Sequence, residues 1–161
     1  MTKPVLNLNS DLEMAEWGHG DFAQSCVDIG GKIGAKKLGY NLTIVPPGKK
    51  SCPFHNHHAN EEFFLVLEGT GTLRFGDETY SVKENDCIAC PAGGKEVAHQ
   101  LINTGEVPLK YLSLSTKIET EVVEYPDSQK VGAYVGNDFM QMKLRHISKV
   151  KDEAEYFEGE S

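Results

Sequence analysis

The sequence predicts an all-β fold, a sandwich or a barrel, on three observations. Short apolar stretches recur at roughly 8–12-residue intervals from Leu38 onward, most alternate apolar with polar positions, and Gly- and Pro-containing turns separate them. Nothing of helical period and helical length interrupts the series.

The first forty residues are the least periodic. Ser10-Asp11-Leu12-Glu13-Met14-Ala15-Glu16 offers a cap residue and an acidic first turn, which suits a short helix or a turn. Gly18, Gly20, Gly30, Gly31, Gly34 and Gly39 then bend the chain between short extended pieces. Residues 40–45 alternate strongly and stop at Pro46-Pro47-Gly48. Residues 63–68 form a second strand, closed by Gly69-Thr70-Gly71. Residues 72–75 and 79–82 flank Gly76-Asp77-Glu78 as a hairpin. Residues 87–90, 98–103 and 109–115 continue the series. Beyond them the chain becomes more charged. Residues 131–135 and 140–147 read as edge strands or packing segments, and 149–161 as a short helix or frayed tail.

The 161 residues suffice for one domain with a real core. A net charge of −8, with Arg74 and Arg145 the only arginines, excludes the clustered positive charge that nucleic acids or anionic membranes require. No apolar run approaches the ~20 residues of a membrane span, and the amino terminus lacks a secretory apolar stretch, so cytoplasmic residence is expected. Four cysteines do not make a disulfide framework. Cys87 and Cys90 have C-x-x-C spacing, but on a strand residues three apart face opposite ways, so buried, inert thiols are expected.

Residues 55–62, His-Asn-His-His-Ala-Asn-Glu-Glu, carry the chemistry. Strand alternation puts His55 and His57 on one face. Ala59-Asn60 is turn-like, and a hairpin there would bring Glu62 beside both imidazoles. His99 supplies a fourth donor downstream. Three neutral imidazoles and a carboxylate suit one divalent transition metal, Zn, Mn, Fe or Ni among them. His58 falls on the opposite face, and Glu61 has the wrong parity relative to Glu62; both read as solvated. Trp17, Phe54, Phe63, Phe64 and Tyr111 could line a pocket, but aromatic residues in a barrel more often pack its core, and none is given a role.

These residues resemble the two short motifs of the cupin superfamily. Gly48, His55-Asn56-His57, Glu62 and Gly69 match the first, with one extra residue between Gly48 and His55. The second is carried by Asn85 in place of a glycine, by Pro91-Ala92-Gly93, by His99 and by Asn103. Asn85 tolerates the left-handed turn that position needs. Five residues separate Gly93 from His99 where two are usual.

The resemblance implies a double-stranded β-helix, or jelly-roll barrel, with a core at 40–116, amino-terminal strands and turns at 1–39, and a carboxy-terminal extension at 117–161. It also implies His55, His57, Glu62 and His99 as ligands of one divalent metal, and a homodimer. Three activities are compatible with such a site: metal-dependent isomerisation or epimerisation of a sugar or sugar phosphate, Fe- or Cu-dependent dioxygenation, and non-catalytic binding of a small carbohydrate. Isomerisation is preferred. Lys95 and Glu96, in the enlarged loop before His99, are the candidate contacts to a small-molecule substrate.

Overall fold

The computed structural model describes residues 3–136 and 141–160. Thirteen strands follow one another along them. They are β1 (Ala15–His19), β2 (Phe22–Asp28), β3 (Leu38–Val45), β4 (Asn56–His57), β5 (Glu62–Glu68), β6 (Thr70–Phe75) and β7 (Glu78–Lys83), then β8 (Cys87–Cys90), β9 (His99–Ile102), β10 (Leu109–Thr116), β11 (Thr120–Tyr125), β12 (Lys130–Val135) and β13 (Leu144–Lys149). One six-stranded sheet runs β1-β2-β3-β10-β5-β8. A four-stranded sheet runs β13-β12-β11-β4 and a three-stranded one β7-β6-β9. The antiparallel bridges His55↔His99 and Lys50↔Ile102 link the chain around β4 to β9, making the two smaller sheets one second layer. The result is a jelly-roll barrel, as the sequence led us to expect.

Alternation along the strands builds the core. Phe64 and Val66 of β5 point inward with Val45 of β3, Leu109 and Tyr111 of β10, and Leu73, Val82 and Leu101 of the opposite layer. Glu62 has the parity of Phe64 and Val66, so the register that buries the core also turns this carboxylate inward. Gly69 holds the β5–β6 corner at φ +84°, where an added Cβ would lie 2.5 Å from the Pro108 carbonyl oxygen. Asn85 adopts φ +71°, the left-handed conformation expected of it. Asn103 is fully buried and structural: its amide donates to the Val45 and Val107 carbonyls at 2.8 and 2.9 Å and accepts from Gly105 N at 3.0 Å.

Several expectations are corrected. Residues 10–16 are not helical; β1 begins at Ala15. A five-residue helix, α1 (Ile29–Ile33), instead occupies the glycine-rich stretch, started by Asp28 accepting from Gly31 N and stopped by Gly34 at φ +84°. No hairpin joins β4 to β5, because β4 pairs with β11 in one layer while β5 pairs with β8 and β10 in the other. Cys87 is exposed rather than buried; Cys90, on the opposite face, is buried. Of the anticipated segment 140–147, Met140 lies outside the described residues, and the strand there is β13. No helix among the described residues is long and apolar enough to cross a membrane.

Candidate metal centre and ligand cavities

Four side chains from four positions in the fold converge. His55 lies just before β4, His57 on it, Glu62 at the first position of β5, and His99 at the start of β9. Glu62 Oε2 stands 2.9 Å from His99 Nε2, 3.5 Å from His57 Nε2 and 3.7 Å from His55 Nε2. The His55 ring centroid lies 5.0 Å from that of His57 and 4.7 Å from that of His99. The donor atoms of His55, Glu62 and His99 fall within 4.8 Å of one another, and His57 flanks that trio. The His99 side chain is only 3% exposed and that of Glu62 18%.

Backbone carbonyls set the rings. His55 Nδ1 lies 2.8 Å from Pro53 O, and His99 Nδ1 lies 3.2 Å from Val97 O. A carbonyl only accepts, so each Nδ1 carries the proton and each Nε2 turns a lone pair toward Glu62. Lone pairs facing a buried carboxylate at this distance need a positive centre between them. In the metal-free chain protons supply it. Burial alone would raise the Glu62 pKa, but hydrogen bonds with the three imidazoles hold it well below the ordinary carboxylate value. Burial likewise pulls His55 down, yet Cys52 and Glu62 outweigh it and hold the ring well above its usual value. A divalent cation would take the place of those protons, and the donor set of three nitrogens and one oxygen fits it.

His57 is held from behind. Its Nδ1 lies 3.3 Å from Glu121 Oε2, out of line for a full hydrogen bond. Burial lowers the His57 pKa, but Glu121 and Glu62 together lift it to about 9. Glu121 is buried on β11, where it accepts from the backbone N–H groups of His58, Ala59 and Asn60 at 3.1, 3.0 and 2.7 Å. It thereby ties down the whole connection between the histidines and Glu62. Burial opposes its charge, but His57 and those amides bring its pKa to about 2. Sequence reading missed this residue. The only signal was an acid sharing the parity of Val123 and Tyr125 on an otherwise apolar strand face.

Two cavities meet at His55. The inner one, about 300 Å³, runs into the barrel and is walled by Glu62, His99, Asn41, Thr43, Ser51, Tyr111 and Ser113. The outer one, about 530 Å³, is walled by His57, Trp17, Lys117, Tyr125, Tyr134 and Arg145, among others. His55 and Cys52 line both. Phe64 and Tyr111 belong to the core and also border the inner cavity, whereas Trp17 is exposed and lines the outer one. The Tyr125 ring stacks against His55 with centroids 6.3 Å apart.

The remaining candidates lie elsewhere. His58 is half-exposed and pairs with Glu124 at 3.1 Å. Glu61 is exposed. Lys95 and Glu96 belong to a single 3-10 turn, residues Lys95–Val97, that absorbs the extra length before His99. Glu96 accepts from Gly94 N at 2.9 Å, stapling its own loop, and Lys95 lines a separate surface cavity beside Lys130 and Lys151. Neither lines either cavity at His55.

Comparison with known proteins agrees with this architecture. Residues 41–115 match a family model described as a cupin domain. Barrel and donor placement agree with that match: residues 41–115, just under half of the chain, carry a cupin domain. Two solved structures share the fold over nearly its whole length. A candidate sugar phosphate isomerase of Acidithiobacillus ferrooxidans is 25% identical with a TM-score of 0.82, covering 94% of this chain and 96% of its own. A sugar phosphate isomerase of the cupin superfamily from Silicibacter pomeroyi is 25% identical with a TM-score of 0.77, covering 92% and 94% respectively.

Among curated relatives, an uncharacterised protein of Methanocaldococcus jannaschii is 36% identical over 85 residues, 50% of this chain and 65% of its own length. The mannose-1-phosphate guanylyltransferase 2 of Escherichia coli O157:H7 is 33% identical over 100 residues, 62% of this chain but only 18% of its own. The chain thus spans less than two thirds of these curated relatives.

Proposed function

We propose that the protein is a metal-dependent isomerase or epimerase acting on a sugar phosphate. The observation that carries this reading is the junction at His55, where a buried His/Glu cluster opens at once into a polar inner cavity and a larger outer one. The two structural neighbours described as sugar phosphate isomerases, each matched over more than nine-tenths of this chain, support it.

In this reading His55, His57, Glu62 and His99 hold one divalent transition metal, which when bound supplies a Lewis acid for a substrate carbonyl. The chain's own groups do the rest. Asn41, Thr43, Ser51 and Ser113 present amide and hydroxyl groups to the hydroxyls of a sugar in the inner cavity. The Tyr125 hydroxyl lies 3.1 Å from that of Tyr134. Burial and this neighbour raise its pKa, so it keeps its proton and is available as a donor to a substrate oxygen. Glu121 is not the proton-transfer base, because the amides of residues 58–60 already occupy its oxygens.

The test is proton NMR in D₂O with Mn²⁺-loaded protein and fructose 6-phosphate or mannose 6-phosphate. Interconversion is expected, with deuterium entering at C-2 of the aldose phosphate or at C-1 of the ketose phosphate. Saturable binding without exchange would make the protein a carbohydrate-binding cupin. Oxygen uptake by the Fe²⁺-loaded protein, without isomerisation, would make it a dioxygenase.

A further inference from the structure

From the layout of the outer cavity we infer that Arg145, seconded by Lys117, is the anchor for the phosphate end of the substrate, which makes the carboxy-terminal sheet the element that distinguishes phosphorylated from free sugars. This rests on the sugar-phosphate reading above and assigns a subsite within it.

The register of the second layer shows why. Tyr134 of β12 stands opposite Glu121 of β11, and Arg145 of β13 stands opposite Tyr134. One step along, His57, Val123, Gly132 and Ile147 form the parallel row. Side chains of these two rows share one sheet face, so Arg145 lies on the same wall as His57, three strands away. At about 4.8 Å per strand the two backbones stand roughly 14 Å apart, a gap that the long arginine side chain partly closes. A sugar seated at the histidines with its hydroxyls toward the inner cavity would turn its phosphate toward this wall. Arg145 and Lys117 both line the outer cavity. Tyr125, whose ring stacks on His55, lines that same cavity, so one wall carries both Arg145 and the aromatic neighbour of the candidate centre.

Among the described residues no other lysine or arginine lines the two cavities at His55. A chain of net charge −8 therefore places two positive side chains in the very cavity that opens on the donor cluster. A guanidinium offers the planar fork that matches phosphate oxygens, which an ammonium cannot reproduce.

Calorimetric titration of the full-length Mn²⁺-loaded chain tests the assignment, with fructose 6-phosphate and fructose as probes and Mn²⁺ affinity measured alongside. Wild type should bind the phosphorylated sugar far more tightly. Arg145→Gln should lose about ten- to a hundredfold of that affinity, Arg145→Lys should recover part of it, and neither should change binding of fructose or of Mn²⁺. A change below about twofold in Arg145→Gln, or an equal loss for both sugars, overturns the anchor while leaving the isomerase reading intact. If wild type itself binds no hexose phosphate, both fall together.

Discussion

The two cavities that meet at His55 are made of different material. The inner one sits within the barrel core, between strands paired on both sides, and its wall is small and polar: Asn41, Thr43, Ser51, Ser113. The outer one leans on β11, β12 and β13, the last of them an edge strand of mostly exposed residues, and mixes aromatic rings with Lys117 and Arg145. In the proposed reading the donors His55, Glu62 and His99 stand on the rigid side, and Lys117 and Arg145, suited to a phosphate, on the outer side. Changes on the two sides should therefore be felt in different measurements.

The largest effect is expected on the rigid side. Glu62→Gln preserves volume but removes the negative charge that three imidazoles surround, so Mn²⁺ affinity in a chelator competition should fall by more than about a hundredfold. His58→Ala, one residue from His57 but facing Glu124, should leave it unchanged. Equal losses would mean that strand parity does not define the cluster.

Glu121 joins the two sides, since it belongs to β11 yet holds His57 and the residues 58–60. Glu121→Ala should cost about ten- to a hundredfold in Mn²⁺ affinity. It should also lower the unfolding midpoint, because each buried amide left unpaired costs about 1–3 kcal/mol. A variant with full metal affinity would show that His57 needs no support from the carboxy-terminal sheet.

A smaller effect is expected from pH. In the metal-free chain the His57 pKa is raised from 6.5 to about 9 by Glu121 and Glu62 against the pull of burial. The stability this contributes is fully present below pH 6.5 and is lost as pH rises through about 9. Urea unfolding with chelator present should therefore show a loss on the order of 2 kcal/mol over that interval. Added Mn²⁺ should abolish the loss, because bound metal replaces the protons. A flat profile in chelator would contradict the charge arrangement drawn around Glu62.

Much of the rigid side was legible in the sequence because one rule, side-chain alternation, governs both core and site. The register that buries Phe64 and Val66 also turns Glu62 inward, and Asn85 adopts the left-handed turn its position demanded. The outer side was not legible. That β11 pairs with the two residues of β4 is a contact between positions 66 and 68 residues apart, and no local pattern encodes it. Arg145 and Glu121 acquire their places only through that pairing. The loop at Lys95 and Glu96 drew attention by its length, yet Glu96 accepts from Gly94 N within the loop and neither residue lines the cavities at His55. The helix α1 escaped notice because five residues, two of them glycine, show no period; only Asp28 and Gly34, its caps, mark it.

We propose that His55, His57, Glu62 and His99 enclose a single cation. Anomalous diffraction from crystals soaked in MnCl₂ examines it directly. One peak is expected, bounded by the three Nε2 atoms and Glu62 Oε2 and absent from Glu62→Gln crystals. A map with no peak there, or with manganese bound only at other side chains, would contradict the account.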